Sequence, residues 1–68
     1  METIKLKELK IGMIFSLNDE AYVCTGRTKG KSVECVESNA PVMKHNLQYF
    51  NGETLVVDEG AYRFLVVE

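Results

Sequence analysis

From Met13 to Glu37 polar and apolar residues alternate largely with a period of two, the spacing of strands that bury one face. Two pairs interrupt the alternation, Asn18-Asp19 and Lys29-Gly30. Asn, Asp and Gly tolerate the positive φ that two-residue hairpin loops require. A hairpin centred on the first pair sets Phe15 opposite Tyr22 and Met13 opposite Cys24. A hairpin centred on the second sets Cys24 opposite Cys35 and Gly26 opposite Val33. The two registers agree about faces. Met13, Phe15, Leu17, Tyr22, Cys24, Val33 and Cys35 share a core face. Ser16, Thr25, Arg27, Ser32 and Glu34 share the other, along with a row of Ile14, Val23 and Val36. A slip of one residue would invert a whole strand, so this agreement predicts a three-stranded antiparallel meander.

The second half carries similar punctuation. Asn51-Gly52 is a strong hairpin signal, and centring on it sets Phe50 opposite Glu53 and Gln48 opposite Leu55. Glu59-Gly60 reads as the next reversal, with Val57 opposite Tyr62 and Leu55 opposite Phe64. The predicted core face is then Phe50, Leu55, Val57, Tyr62, Phe64 and Val66. Tyr49, Thr54, Val56, Arg63, Leu65 and Val67 face outward. Between the halves, Ser38-Asn39-Ala40-Pro41 reads as a loop, Pro41 biasing Ala40 away from helix. Val42–Asn46 is either extended or a 3₁₀ turn crossing between halves. Near the start, Thr3–Leu6 is extended, or Leu6–Lys10 makes a helical turn, and Gly12 ends the segment in both readings. That segment is too short for an amphipathic membrane helix.

Neither meander is stable alone, and both must bury their aromatic faces together. The expected fold is therefore all-β and a single domain, residues 1–68: a small SH3-like barrel, or two packed three-stranded antiparallel meanders.

At 68 residues the chain is near the lower limit for a core without metals or disulfides. A net charge of −2 supplies no long-range field toward nucleic acid or anionic lipid. METIKLKELK lacks the continuous apolar run of a signal peptide, and no stretch is long enough to span a bilayer. The expected location is the cytoplasm, where two cysteines remain reduced.

Candidate chemistry is sparse. Cys24 and Cys35 are predicted cross-strand neighbours at about 5.5 Å between Cα atoms, within disulfide reach. Counting from a two-residue loop makes them a hydrogen-bonded pair, whose Cβ atoms are the less close type, so free buried thiols are expected. His45 is the sole histidine and lacks the further ligands of a zinc site or the partners of a nucleophile. Asp19-Glu20 and Asp58-Glu59 sit in turns for backbone reasons. No phosphate loop, dinucleotide fingerprint or calcium loop occurs. The expectation is a non-enzyme with no cofactor, no metal and no small-molecule substrate.

Two surfaces remain. Arg27, Lys29 and Lys31 place three cations at one hairpin tip, a possible nucleic-acid contact, although Glu34 and Glu37 adjoin it. Ile14, Val23 and Val36, with Val56, Leu65 and Val67, form outward apolar rows that would meet a partner protein if left uncovered. The last strand, Ala61–Val67, is the expected free edge through which a homo-oligomer could pair.

Leu6, Leu9, Gly12 and Phe15 form the pattern Leu-x-x-Leu-x-x-Gly-x-x-Phe, followed by a short turn and Tyr22. Over Leu6–Arg27 the chain resembles small β-barrel proteins encoded by tailed bacteriophages. The matching positions are core apolars and a turn glycine, so the resemblance implies a barrel and a phage or prophage origin and carries over no functional residue. The leading expectation is a protein-binding module, a phage accessory protein modulating a host factor. The alternatives are a nucleic-acid-binding SH3-like barrel and a structural component of a homo-oligomer.

Overall fold

The structure is a computed structural model that describes residues 2–65. It is all-β. Among the described residues six antiparallel strands form one sheet in the order β1-β6-β2-β3-β4-β5. The strands are β1 (Thr3–Lys5), β2 (Met13–Leu17), β3 (Glu20–Lys29), β4 (Ser32–Glu37), β5 (Gln48–Asn51) and β6 (Leu55–Tyr62). Two 3₁₀ turns, Leu6–Glu8 and Lys44–Asn46, interrupt the connections.

The first meander, β2-β3-β4, forms as expected. Asn18 and Asp19 take φ of 52° and 67°, the two positive values of a type I′ loop, and Phe15 pairs with Tyr22. The second loop differs by one residue. Lys29 pairs with Ser32, so the loop is Gly30-Lys31, with φ +61° at Gly30. Cys24 nevertheless faces Cys35, because a bulge absorbs the displacement: β3 advances from Cys24 to Thr28 while β4 advances from Cys35 to Val33. Gly26, expected opposite Val33, is the bulge residue with φ +87°.

The second meander does not form. β5 pairs with β4, setting Val33 opposite Phe50, while β6 pairs with β1 and β2. Asn51-Gly52 therefore makes a turn between opposite ends of the sheet, closed by the Thr54 amide donating to the Asn51 carbonyl. Glu59-Gly60 is no reversal either. It is a bulge inside continuous β6, where pairing shifts from Phe15↔Asp58 to Ile14↔Ala61. The Gly60 amide donates to Asp58 Oδ1 at 2.9 Å.

With its partners changed, β6 presents the opposite face. Val56, expected outside, is buried with the core, whereas Leu55, Tyr62 and Phe64 are 61%, 72% and 91% exposed. Ile4 pairs with Val56, and both join the core with Leu17. The expected edge along Ala61–Val67 is occupied on one side, where Ala61 and Tyr62 pair with Ile14 and Met13. Val66 and Val67 lie outside the described residues.

The main core gathers Leu6, Phe15, Tyr22, Cys24, Val33, Cys35 and Val56. Tyr22 stacks on Phe15 at 5.7 Å between centroids and meets Phe50 edge-on at 5.2 Å. The sheet curls over this core, and its two ends meet through backbone. The Lys7 amide donates to the Gly52 carbonyl, and the Gly52 amide donates to Lys31, each at 2.9 Å. Glu53 adds Lys5 and Lys7 at 3.0 and 2.6 Å. A Cβ on Gly52 would lie 3.0 Å from Lys7 Cβ and 3.2 Å from the Lys31 carbonyl oxygen, so a larger residue would make these neighbours give way by a few tenths of an ångström.

Candidate functional site

The outer face of β3 and β4 is not bare. Val23 and Val36 are both fully buried, at 0% exposure, yet they stand apart from the main core cluster. Two connecting stretches cross this face. One follows β4 and the other follows β6. Arg63 ties them together: its Nη1 donates to the carbonyls of Glu37 and Ser38 at 3.3 and 3.2 Å. Its backbone amide donates to Gly12 at 2.8 Å. Gly12 has φ +85°, and a Cβ there would come within 2.9 Å of the Arg63 carbonyl.

Between these stretches lies an open groove of about 800 Å³. Thr25 and Glu34 line it from the sheet, with Arg27 from the bulge. Pro41, Val42, Met43, Lys44 and Leu47 line it from the crossover, and Arg63, Phe64 and Leu65 from the stretch after β6. Apolar side chains thus dominate the walls, and three cations stand against one carboxylate.

That carboxylate is Glu34, only 6% exposed. A buried charge needs compensation, and here it comes from hydroxyls. Thr25 Oγ1 donates to Oε1 at 2.7 Å and Tyr49 Oη donates to Oε2 at 3.0 Å. No lysine or arginine forms an ion pair with it among the described residues. The hydrogen bond to Glu34, then burial, then the carboxylate's charge hold the Tyr49 phenol above its ordinary pKa; Arg27 acts in the opposite direction. Lys29 Nζ lies 5.5 Å from the centre of the Tyr49 ring.

The expected apolar rows need correction. Val23, Val36 and Val56 are buried and cannot meet a partner. Ile14 is half-buried. Leu65 does line the groove, and Val67 lies outside the described residues. The basic tip is divided as well. Arg27 faces the groove, Lys29 lies against Tyr49, and Lys31 stays exposed beside the Gly30 loop. His45 is exposed in the second 3₁₀ turn.

Thr25, Glu34 and Arg63 were legible as outward residues, but not as members of one site. No pattern in the chain announces that residues 63–65 cross the face of another hairpin. Lys44, Met43 and Phe64 were hidden for the same reason.

The cysteines are free and buried, at 1% and 0% exposure. Their pairing type is the reverse of the expected one. The Cys24 carbonyl accepts from Gly12 on the β2 side, and Ala21 accepts from Ser38 on the β4 side. Backbone groups alternate along a strand, so Cys24 and Cys35 form a non-hydrogen-bonded pair. The one-residue loop shift and the bulge together account for the change.

Comparison with known protein families, curated proteins and solved structures finds no match to this chain. No helix among the described residues is long and apolar enough to cross a membrane.

Proposed function

We propose that this chain is a non-enzymatic protein-binding module whose groove takes an acidic, apolar segment of a partner polypeptide. The observation that carries the reading is the groove's charge. Arg27, Lys44 and Arg63 face Glu34 alone, so the site is locally cationic although the whole chain carries −2. Carboxylates on a partner would meet the three cations, and its apolar side chains would meet Val42, Met43, Phe64 and Leu65. Charge complementarity of this kind selects the partner and its register more than it adds affinity. The apolar contacts supply the affinity, with the exposed Phe64 ring as the main anchor. On this reading, and with the phage resemblance, the protein acts in the host cytoplasm as an accessory factor on a host protein.

The test uses three labelled probes with the full chain. They are a ten-residue peptide alternating Glu and Leu, its Lys-Leu counterpart, and a single-stranded oligonucleotide, all followed by fluorescence anisotropy. Saturable binding of the Glu-Leu peptide, abolished by Phe64→Ala and weakened about tenfold by Lys44→Glu, supports the reading. Tighter binding of the Lys-Leu peptide would overturn it and make Glu34 the recognition element. Oligonucleotide binding that falls steeply with salt and is lost on mutating Arg27, Lys29 and Lys31 would establish the nucleic-acid alternative. No binding by any probe, with self-association in sedimentation, would leave a second copy as the occupant.

A further inference from the structure

We infer that Cys24 and Cys35 are a built-in modification site: a cross-strand thiol pair that hydrogen peroxide closes to an intramolecular disulfide. The inference is independent of the groove's partner. It rests on register. The two residues face each other directly on β3 and β4 and both side chains belong to the core. A non-hydrogen-bonded pair brings Cα atoms to about 4.5 Å with side chains closer than in the alternative type, inside the span a disulfide accepts without backbone movement. The Cys35 thiol donates to the Val33 carbonyl at 3.6 Å.

That contact also assigns roles. The neighbouring Cys35 side chain lowers the Cys24 pKa against the opposing effect of burial, while the Cys24 sulfur and burial push Cys35 far up. With the Cys35 proton held on the Val33 carbonyl, Cys24 is the attacking sulfur and Cys35 the resolving one. Its thiolate attacks one peroxide oxygen, the O–O bond breaks, and the departing hydroxide leaves as water with the proton first lost from the thiol. The Cys35 sulfur then attacks the Cys24 sulfenic acid, the S–O bond breaks, and the hydroxyl leaves as water with the Cys35 proton. Two thiols and one peroxide give one disulfide and two waters. A small oxidant suits the site, because bulkier disulfides cannot reach sulfurs this deeply covered.

The bond would also lie beneath the groove. Thr25 follows Cys24 and Glu34 precedes Cys35, so the two groove-floor residues are anchored on the same two backbone positions. Closure would pin β3 to β4 at the edge of the Gly26 bulge.

The experiment treats the folded full chain with hydrogen peroxide and reads intact mass under denaturing conditions, with alkylation of remaining thiols. The expected product has lost two hydrogens, resists alkylation, runs as a monomer without reductant and reverts with dithiothreitol. Its thermal midpoint rises by roughly 10 °C. Cys24→Ser and Cys35→Ser, which keep nearly the same volume, should give oxygen adducts on the remaining cysteine and no disulfide. Stable sulfinic acid on the wild-type chain would overturn the inference. So would an unreactive folded chain whose denatured form oxidises, since the thiols would then be inert core residues.

Discussion

Tyr22 shows how one side chain can serve the core and remain polar. Its ring is buried between Phe15 and Phe50, while its hydroxyl donates to Glu20 Oε2 at 2.6 Å. That hydrogen bond, then burial, then the charge of Glu20 push the phenol up to about 12. In the unfolded chain a tyrosine titrates near 10, so folding favours the protonated form. The stabilisation is complete below about pH 10 and is lost as pH rises through about 12. Tyr22→Phe should therefore cost about 1–2 kcal/mol at pH 8, the worth of a hydrogen bond to a carboxylate at a partly buried site. The difference from wild type should shrink between pH 10 and 12. Urea unfolding of both proteins across this range checks it, and a pH-independent difference would assign the whole cost to packing.

At the scale of elements, what was legible was local and what was hidden was long-range. β2, β3 and β4 could be read because loop chemistry and face alternation act over a few residues and constrain each other. The Asn18-Asp19 loop and the Phe15–Tyr22 pairing follow from that alone, whereas Cys24 meets Cys35 only because the bulge offsets the one-residue shift of the second loop. Gly26 and Gly60 were hidden, because a bulge glycine and a loop glycine look alike in a sequence. At Gly60 the confusion turned a bulge into a reversal. At Asn51-Gly52 a good hairpin pair was overruled by partners from elsewhere: β4 had a free edge for β5, and β1 and β2 left a slot for β6. The flip of β6 follows, since a strand's faces are set by its neighbours. The two kinds of glycine can be separated by experiment. Gly30 has positive φ with nothing near its missing Cβ, so Gly30→Ala should cost about 1 kcal/mol for the backbone alone. Gly26 has positive φ and lies against Ile11, where a Cβ would approach side-chain carbons at 3.0–3.2 Å. Gly26→Ala should cost about 2–4 kcal/mol, backbone and overpacking combined. In denaturant titrations Ile11→Ala should recover the overpacking part in the Gly26→Ala background, as a double-mutant cycle measures. Equal costs at the two glycines would place no weight on the Ile11 contact.

For the whole molecule the decisive feature is that the last described strand lies inside the sheet. β6 separates β1 from β2, and Thr3 pairs with Val57. Among the described residues the first strand has no hydrogen-bonded neighbour other than β6, and β2 has β6 on one side and β3 on the other. Val56, from β6, is also one of the fully buried side chains that fill the core. Closing this long loop costs chain entropy before its contacts form, which places folding in the millisecond-to-second range typical of non-local β topologies. It also means that the β2-β3-β4 meander, although most clearly written in the sequence, should not fold by itself. Without β6 the core loses Val56 and the strand that joins β1 to β2, and the β2-β3-β4-β5 sheet that remains keeps its apolar face open to water. A chain ending at Thr54 should show no cooperative thermal transition by circular dichroism. Adding a peptide of residues 55–68 should restore one, with a midpoint that rises with peptide concentration as binding to the folded form requires. A sharp transition in the truncated chain alone would mean that the meander carries the fold and that β6 merely covers it. The groove depends on the same strand, because Arg63, Phe64 and Leu65 follow directly from it. Binding of the Glu-Leu peptide should thus return only with the transition, since the groove's second wall and its closing strand are one continuous segment.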